Sequence, residues 1–128
     1  MKALVIDDSR AMRRIVAGQL QTLGFETVEA GDGRQALEAM AAADGGFDLA
    51  CVDWNMPVMD GLTFVQRVRA NRDWRRVTLM MVTTESEHGQ VVRALAAGAH
   101  EYLIKPFTPD ALVAKLQLLG LVPQETGR

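Results

Sequence analysis

Short apolar runs alternate along the chain with longer stretches in which apolar residues recur every three or four positions. The first run, Ala3-Leu4-Val5-Ile6, reads as a buried strand bounded by Asp7-Asp8-Ser9. Across residues 9–23, Met12, Ile15, Val16, Leu20 and Leu23 fall on one helical face, with Ser9 as N-cap and Gly24 as the C-terminal glycine. Residues 25–30 form a second strand, followed by the turn Gly31-Asp32-Gly33. Residues 34–43 have helical composition, with Leu37 and Met40 as the apolar pair, and Gly45-Gly46 breaks the helix. Residues 48–52 make a third strand ending on Asp53. A loop over residues 54–60 then leads through Gly61 into a helix presenting Leu62, Val65 and Val68. Residues 78–82 form the fourth strand, closed by Thr83-Thr84, and residues 87–97 the fourth helix, ended by Gly98. A fifth strand over residues 100–104 runs into Lys105-Pro106, and Thr108 caps a last helix carrying Leu112, Leu116 and Leu119. Strict alternation of strands apolar on both faces with amphipathic helices predicts an α/β fold, a doubly wound five-stranded parallel sheet.

Composition narrows the class. A chain of 128 residues suits one domain, expected over residues 1–121 with a loose tail over 122–128. Hydrophobic residues at 48% and charged residues at 23% argue for a packed core rather than disorder. With 14 basic and 16 acidic residues the net charge is −2, so no electrostatic footprint for nucleic acid is expected. Cys51 is the only cysteine; it precludes an intrachain disulfide, points to a reducing cytoplasm, and reads as a small buried hydrophobe. The leading apolar run is too short for a signal peptide or a membrane span, so a cytoplasmic protein is expected.

The informative polar residues sit where strands end. Asp7 and Asp8 close the first strand, Asp53 the third, Thr83 the fourth and Lys105 the fifth. In an open parallel sheet these ends line one edge, where ligands bind at the topological switch point. Three converging carboxylates repel, which raises pKa values or demands a cation, and Mg²⁺ suits carboxylates combined with phosphate. Carboxylates also act as nucleophiles toward phosphorus. The edge therefore has a nucleophile, a metal site, and donors in Lys105 and Thr83 for transferred oxygens. Any one of these residues alone would be an ordinary turn or surface residue; their agreement on one edge is what carries weight.

Four stretches in order resemble the receiver family of two-component signalling. They are Val5-Ile6-Asp7-Asp8-Ser9-Arg10, Asp53-Trp54-Asn55-Met56-Pro57-Val58-Met59-Asp60-Gly61, Met81-Val82-Thr83-Thr84-Glu85 and Tyr102-Leu103-Ile104-Lys105-Pro106-Phe107-Thr108. The resemblance implies a flavodoxin-like (βα)5 sheet of order 2-1-3-4-5, in which the switch point falls between the first and third strands. It implies that Asp53 accepts phosphate from a histidine kinase. Asp8 and Asp53 would bind Mg²⁺ directly, Asp7 mainly through water, and Asn55 through its backbone carbonyl. Lys105 would pair with the phosphoryl group, Thr83 would move to hydrogen-bond it, and Tyr102 would follow as an aromatic switch. The effector would then bind the face built from the fourth helix, fifth strand and fifth helix. A monomeric, stand-alone switch in chemotaxis is the expected role, one that catalyses only its own phosphorylation and dephosphorylation. Residues 57–61 would shape the loop over the site, and Thr84, where many relatives carry alanine, bears on the dephosphorylation rate.

Other readings stand beside it. A phosphorelay intermediate would return its phosphate to a histidine phosphotransfer protein. A haloacid-dehalogenase-type phosphatase would need an Asp-x-Asp pair, but the residue two after Asp53 is Asn55, which cannot protonate a leaving group. An FMN carrier is disfavoured because the acidic first loop would repel the cofactor phosphate. His88 and His100 lack metal-ligand spacing and read as solvated or packed residues. The basic run over residues 72–76 reads as a solvated loop.

Overall fold

The computed structural model describes residues 1–84 and 89–123. Five parallel strands, β1 (Lys2–Ile6), β2 (Glu26–Ala30), β3 (Leu49–Asp53), β4 (Thr78–Thr84) and β5 (Glu101–Lys105), form one sheet in the order β2-β1-β3-β4-β5. The helices are α1 (Arg10–Thr22), α2 (Gly33–Ala42), α3 (Gly61–Ala70), α4 (Val91–Ala97) and α5 (Pro109–Leu118). The doubly wound sheet and its predicted order are both present.

Alternation along each strand divides the interior into two cores. Leu4, Ile6, Ala50, Val52, Leu79 and Met81 pack on one face with Phe64, Val65 and Val68 of α3 and Ala36 and Met40 of α2. Ala3, Val5, Leu49, Cys51, Met80 and Val82 pack on the other with Val16 and Leu20 of α1 and Leu112 and Leu116 of α5. The order follows from this demand, because the central strands β1, β3 and β4 must be apolar on both faces. β3 is buried at all five positions.

Helix starts are specified by side chains. The hydroxyl of Ser9 accepts from Met12 N at 3.2 Å and that of Thr108 from Ala111 N at 3.1 Å, as expected. Asp32 and Asp60 cap α2 and α3 in the same way, accepting from Gln35 N and Thr63 N, each at 2.8 Å. The Asp32 cap pulls the start of α2 back to Gly33, inside what had read as a turn. Gly24 and Gly98 follow α1 and α4 at φ +96° and +122°, the left-handed region that glycine tolerates.

Several expectations are corrected. Ile15, assigned to the buried face of α1, is 55% exposed, since the packed stripe is Val16, Ala17 and Leu20. Phe25 is buried but precedes β2, and Thr83-Thr84 continue β4 rather than close it. Residues 72–74 of the basic run form a 3₁₀ turn whose Trp74 packs against the first core. Val122, placed in a loose tail, packs against the second core, and Gln117 Nε2 donates to Pro123 O at 3.3 Å. Glu85, His88, the fourth helix's expected start at Glu87 and residues 124–128 lie outside the described residues.

His100, expected to open the fifth strand, precedes β5 and is an exposed acceptor at the sheet edge remote from the acidic loops. Its Nδ1 accepts from Leu79 N at 3.1 Å and lies 3.2 Å from Arg69 Nη2, while its own N–H donates to Leu79 O at 2.8 Å. Burial, and then the Arg69 guanidinium, hold its pKa below the ordinary value of 6.5. The unfolded chain therefore takes up this proton first on acidification, and stability is lost as pH falls below 6.5 toward the folded value. Thermal melts should show that slope in the parent and a flatter one in His100→Gln. Equal slopes would mean His100 titrates as in the unfolded chain.

Candidate functional site

The turns after β1 and β3 bring the predicted carboxylates together. Asp7 and Asp53 are each 4% exposed, whereas Asp8 is exposed. Ligand oxygens of the three lie within 4.8 Å of one another. Lys105, at the end of β5, places Nζ 3.2 Å from Asp7 Oδ2 and 3.2 Å from Asp53 Oδ1. Asp7 is further fixed by the backbone, its Oδ1 accepting from Ser9 N at 2.9 Å. Arg13 Nη1 donates to Asp7 O at 2.8 Å while its Nε pairs with Glu29 Oε1 at 3.3 Å, joining α1 and β2 to the end of β1. Pattern reasoning did not find Arg13, because a basic residue on a helix carries no signal of where its side chain reaches.

The electrostatics follow from three carboxylates around one ammonium. Burial, and after it the Asp7 charge, push the Asp53 carboxyl up to about 6 against the pull of Lys105. Burial also works against the Lys105 ammonium, but Asp53 and Asp7 outweigh it and hold its pKa above the ordinary lysine value. The two shifts are compatible, since Lys105 faces two carboxylates while Asp53 faces one cation and a like charge. The surplus of negative charge and an all-oxygen donor set fit a hard divalent ion such as Mg²⁺. Asn55 is exposed in the loop two residues after Asp53.

Thr83 and Tyr102 lie on β4 and β5. Thr83 is fully buried, and its Oγ1 has no hydrogen-bond partner among the described residues, an unusual state for a buried hydroxyl. Met81 pairs with Tyr102 and Thr83 with Ile104 across the parallel ladder. Thr83 and Tyr102 are therefore diagonal neighbours on one face of the sheet. Tyr102 is half-buried against the first core, with Lys115 Nζ 4.4 Å from its ring centroid and 2.8 Å from Glu101 Oε1. The loop between β3 and α3 closes tightly under the site. Gly61 N donates to Trp54 O at 2.9 Å, and a Cβ on Gly61 would lie 2.6 Å from Asp53 O. Trp54 packs beside this loop against the first core.

Cys51 is buried one strand position pair away from this edge, and burial pushes its thiol up to about 12, as suits an inert core residue. No described helix is long and apolar enough to cross a membrane.

Similarity to known proteins agrees with this geometry. The family described as response regulator receiver domain matches residues 3–117. Chemotaxis protein CheY1 of Helicobacter pylori is 43% identical over 120 residues, covering 93% of this chain and 96% of that protein. Chemotaxis protein CheY of Pseudomonas aeruginosa is 41% identical over 118 residues, 91% of this chain and 94% of its own. Among solved structures, the chemotaxis response regulator CheY4 of Vibrio cholerae superposes with a TM-score of 0.84 at 39% identity, over 92% of this chain and 97% of that one. The receiver domain of a Pseudomonas aeruginosa sensor histidine kinase, solved with a magnesium ion coordinated in its active-site cleft, reaches 0.81 at 28% identity, covering 91% and 94% of the two chains. With its acidic edge at the switch point and the family match running from β1 into α5, the chain belongs to the response regulator receiver domain family.

Proposed function

We propose that the protein is a phosphorylation switch in which Asp53 accepts a phosphoryl group from the phosphohistidine of a histidine kinase and thereby alters affinity for a protein target. The observation that carries this reading is the buried Asp53 carboxylate, sharing the Lys105 ammonium with Asp7 at 3.2 Å each. In the transfer, an Asp53 carboxylate oxygen forms the bond to phosphorus as the donor's P–N bond breaks. The departing imidazole keeps the electron pair, and its ring is protonated by solvent as required. Lys105 donates to the transferred oxygens and offsets their charge. Asp8, Asp53, the Asn55 carbonyl and, through water, Asp7 would hold Mg²⁺, whose charge neutralises phosphoryl oxygens. The protein catalyses only the gain and loss of its own phosphoryl group. The names of relatives at 41–43% identity favour a role in chemotaxis.

Output follows from Thr83. Its unpartnered buried hydroxyl gains an acceptor when Asp53 carries phosphate, and its movement opens space for Tyr102 on the same sheet face. The effector surface is then α4, β5 and α5. Phosphorylation shifts this equilibrium only by its different interaction energy with the two states. Thr83→Ala should still accept phosphate but leave Tyr102 in place. NMR shifts around Tyr102, with and without a beryllofluoride mimic, test this; equal responses in parent and variant would remove Thr83 from the relay.

The site reading itself is tested with a small acyl phosphate and Mg²⁺, which should add one phosphoryl group by intact mass. Chelating the metal should prevent it. Trp54 adjoins Asp53, so Mg²⁺ should change its emission when Trp74→Phe removes the other indole, and Asp8→Ala should lose that response. A titration unchanged by Asp8→Ala would put the metal elsewhere.

A further inference from the structure

We infer that Val58 is a docking residue for the protein phosphodonor, an apolar knob held out over the phosphorylation site to meet the donor's surface beside its phosphohistidine. The inference rests on Asp53 being the phosphoryl acceptor.

Val58 adopts φ +70°, where a β-branched residue is a backbone outlier. Met59 N donates to Pro57 O at 2.7 Å, so Val58 is the centre of a three-residue γ-turn of the rare, strained hand. The other non-glycine residue at positive φ, Asp44 at +54°, is of a type that tolerates this region. Glycine or asparagine at position 58 would remove most of the strain. The valine side chain returns little to the fold, because it is 77% exposed, the most exposed of the large apolar residues among those described. Its apolar neighbours behave differently. Met56 is 7% exposed in the first core, and Met59 packs so closely on α2 that a Cβ on Gly33 would lie 2.8 Å from its Cβ. The two methionines anchor the loop on either side and leave Val58 turned outward. Strain held at a functional edge, with no return inside the fold, points to a contact outside it.

The location says what covers it. The loop is pinned at its base by the hydrogen bond from Gly61 N to Trp54 O, directly after Asp53. Three or four residues of chain therefore keep Val58 within about 10 Å of that base. A protein donor delivering phosphate to Asp53 covers a patch with a radius of about 14–16 Å, so it must lie over Val58. A small phosphodonor reaches Asp53 without touching it.

The test compares two donors with the same P–N bond. One is phosphoimidazole; the other is a phosphorylated histidine-kinase phosphotransfer domain shown to label the parent. Val58→Gly and Val58→Asn should keep or raise the melting temperature and accept from phosphoimidazole at the parent rate. Their second-order rate constant for transfer from the phosphoprotein should fall about tenfold, the scale of one lost apolar side-chain contact. Val58→Ile, which retains the apolar contact, should stay near the parent. Parent-like transfer from both donors in all variants would overturn the inference, and so would an equal loss with both donors, which would put Val58 in the chemistry at Asp53. A parent labelled at a residue other than Asp53, read by mass spectrometry, would instead overturn the Asp53 reading, and this inference with it.

Discussion

Asp53→Asn should accept no phosphoryl group from any donor and, without Mg²⁺, should be more stable than the parent at neutral pH. The first result follows from removing the nucleophilic carboxylate, and undiminished labelling by mass spectrometry would overturn the assignment. The second follows from the raised pKa. In the folded protein Asp53 titrates at about 6 rather than 3.8, so between these values the folded state binds more protons than the unfolded chain. Stability is present below the unfolded value and is lost as pH rises through about 6. The shift, which already includes the pull of Lys105, corresponds to about 1–3 kcal/mol at pH 7. Denaturation in a chelator should show a variant advantage that shrinks toward pH 4. Mg²⁺ should narrow the gap by stabilising the parent. A variant less stable than the parent at every pH would mean that the Lys105 pairing outweighs burial and repulsion.

Gly61→Ala should damage fold and site together. Its Cβ would meet Asp53 O at 2.6 Å, Met81 Cε at 2.9 Å and Trp54 Cα at 3.0 Å. Two of these atoms are backbone and cannot rotate away, so the end of β3 must shift. A loss of about 2–3 kcal/mol is expected from the overpacking. The shift also moves Asp53 relative to Lys105, and a displacement near 1 Å lowers a positioned reaction on the order of 100-fold. Gly33→Ala is the contrast, since its Cβ would meet only the side chain of Met59, at 2.8 Å and beyond. The nearest of those atoms is the Met59 Cβ, which cannot rotate away, so the loop must shift there, but none of the close contacts is to Asp53 and labelling should fall less than in Gly61→Ala. Urea denaturation and the initial rate with a small acyl phosphate measure both effects. Gly61→Ala labelling at the parent rate would show that the β3 end is not held by this packing.

Much of the site was legible because its parts stand at strand ends. A carboxylate after an apolar run needs no tertiary information to be placed on the sheet edge, and Asp7, Asp53 and Lys105 are found there within ion-pair distance. Other features depend on where side chains reach. Asp7 and Asp8 are adjacent in sequence, yet one is buried against Lys105 and the other faces solvent. Ile15 satisfies the helical period and is exposed, because periodicity gives a face but not its width. The capping role of Asp32 was hidden by two flanking glycines that read as a turn.

The sequence by itself determined the class of fold, the five alternating units and the identity of the residues at the acidic edge. It could do so because strand burial on two faces, helical period and cap chemistry are local patterns written in consecutive residues. Only the tertiary structure decided how those residues interact. Asp53 and Lys105 meet through strands far apart in the chain, so the raised Asp53 pKa, the unpartnered Thr83 hydroxyl and the closeness of Gly61 to Asp53 are products of packing. The strained, outward Val58 likewise reflects a loop pinned at its base and anchored by methionines on either side, a conformation that no local preference of valine would select.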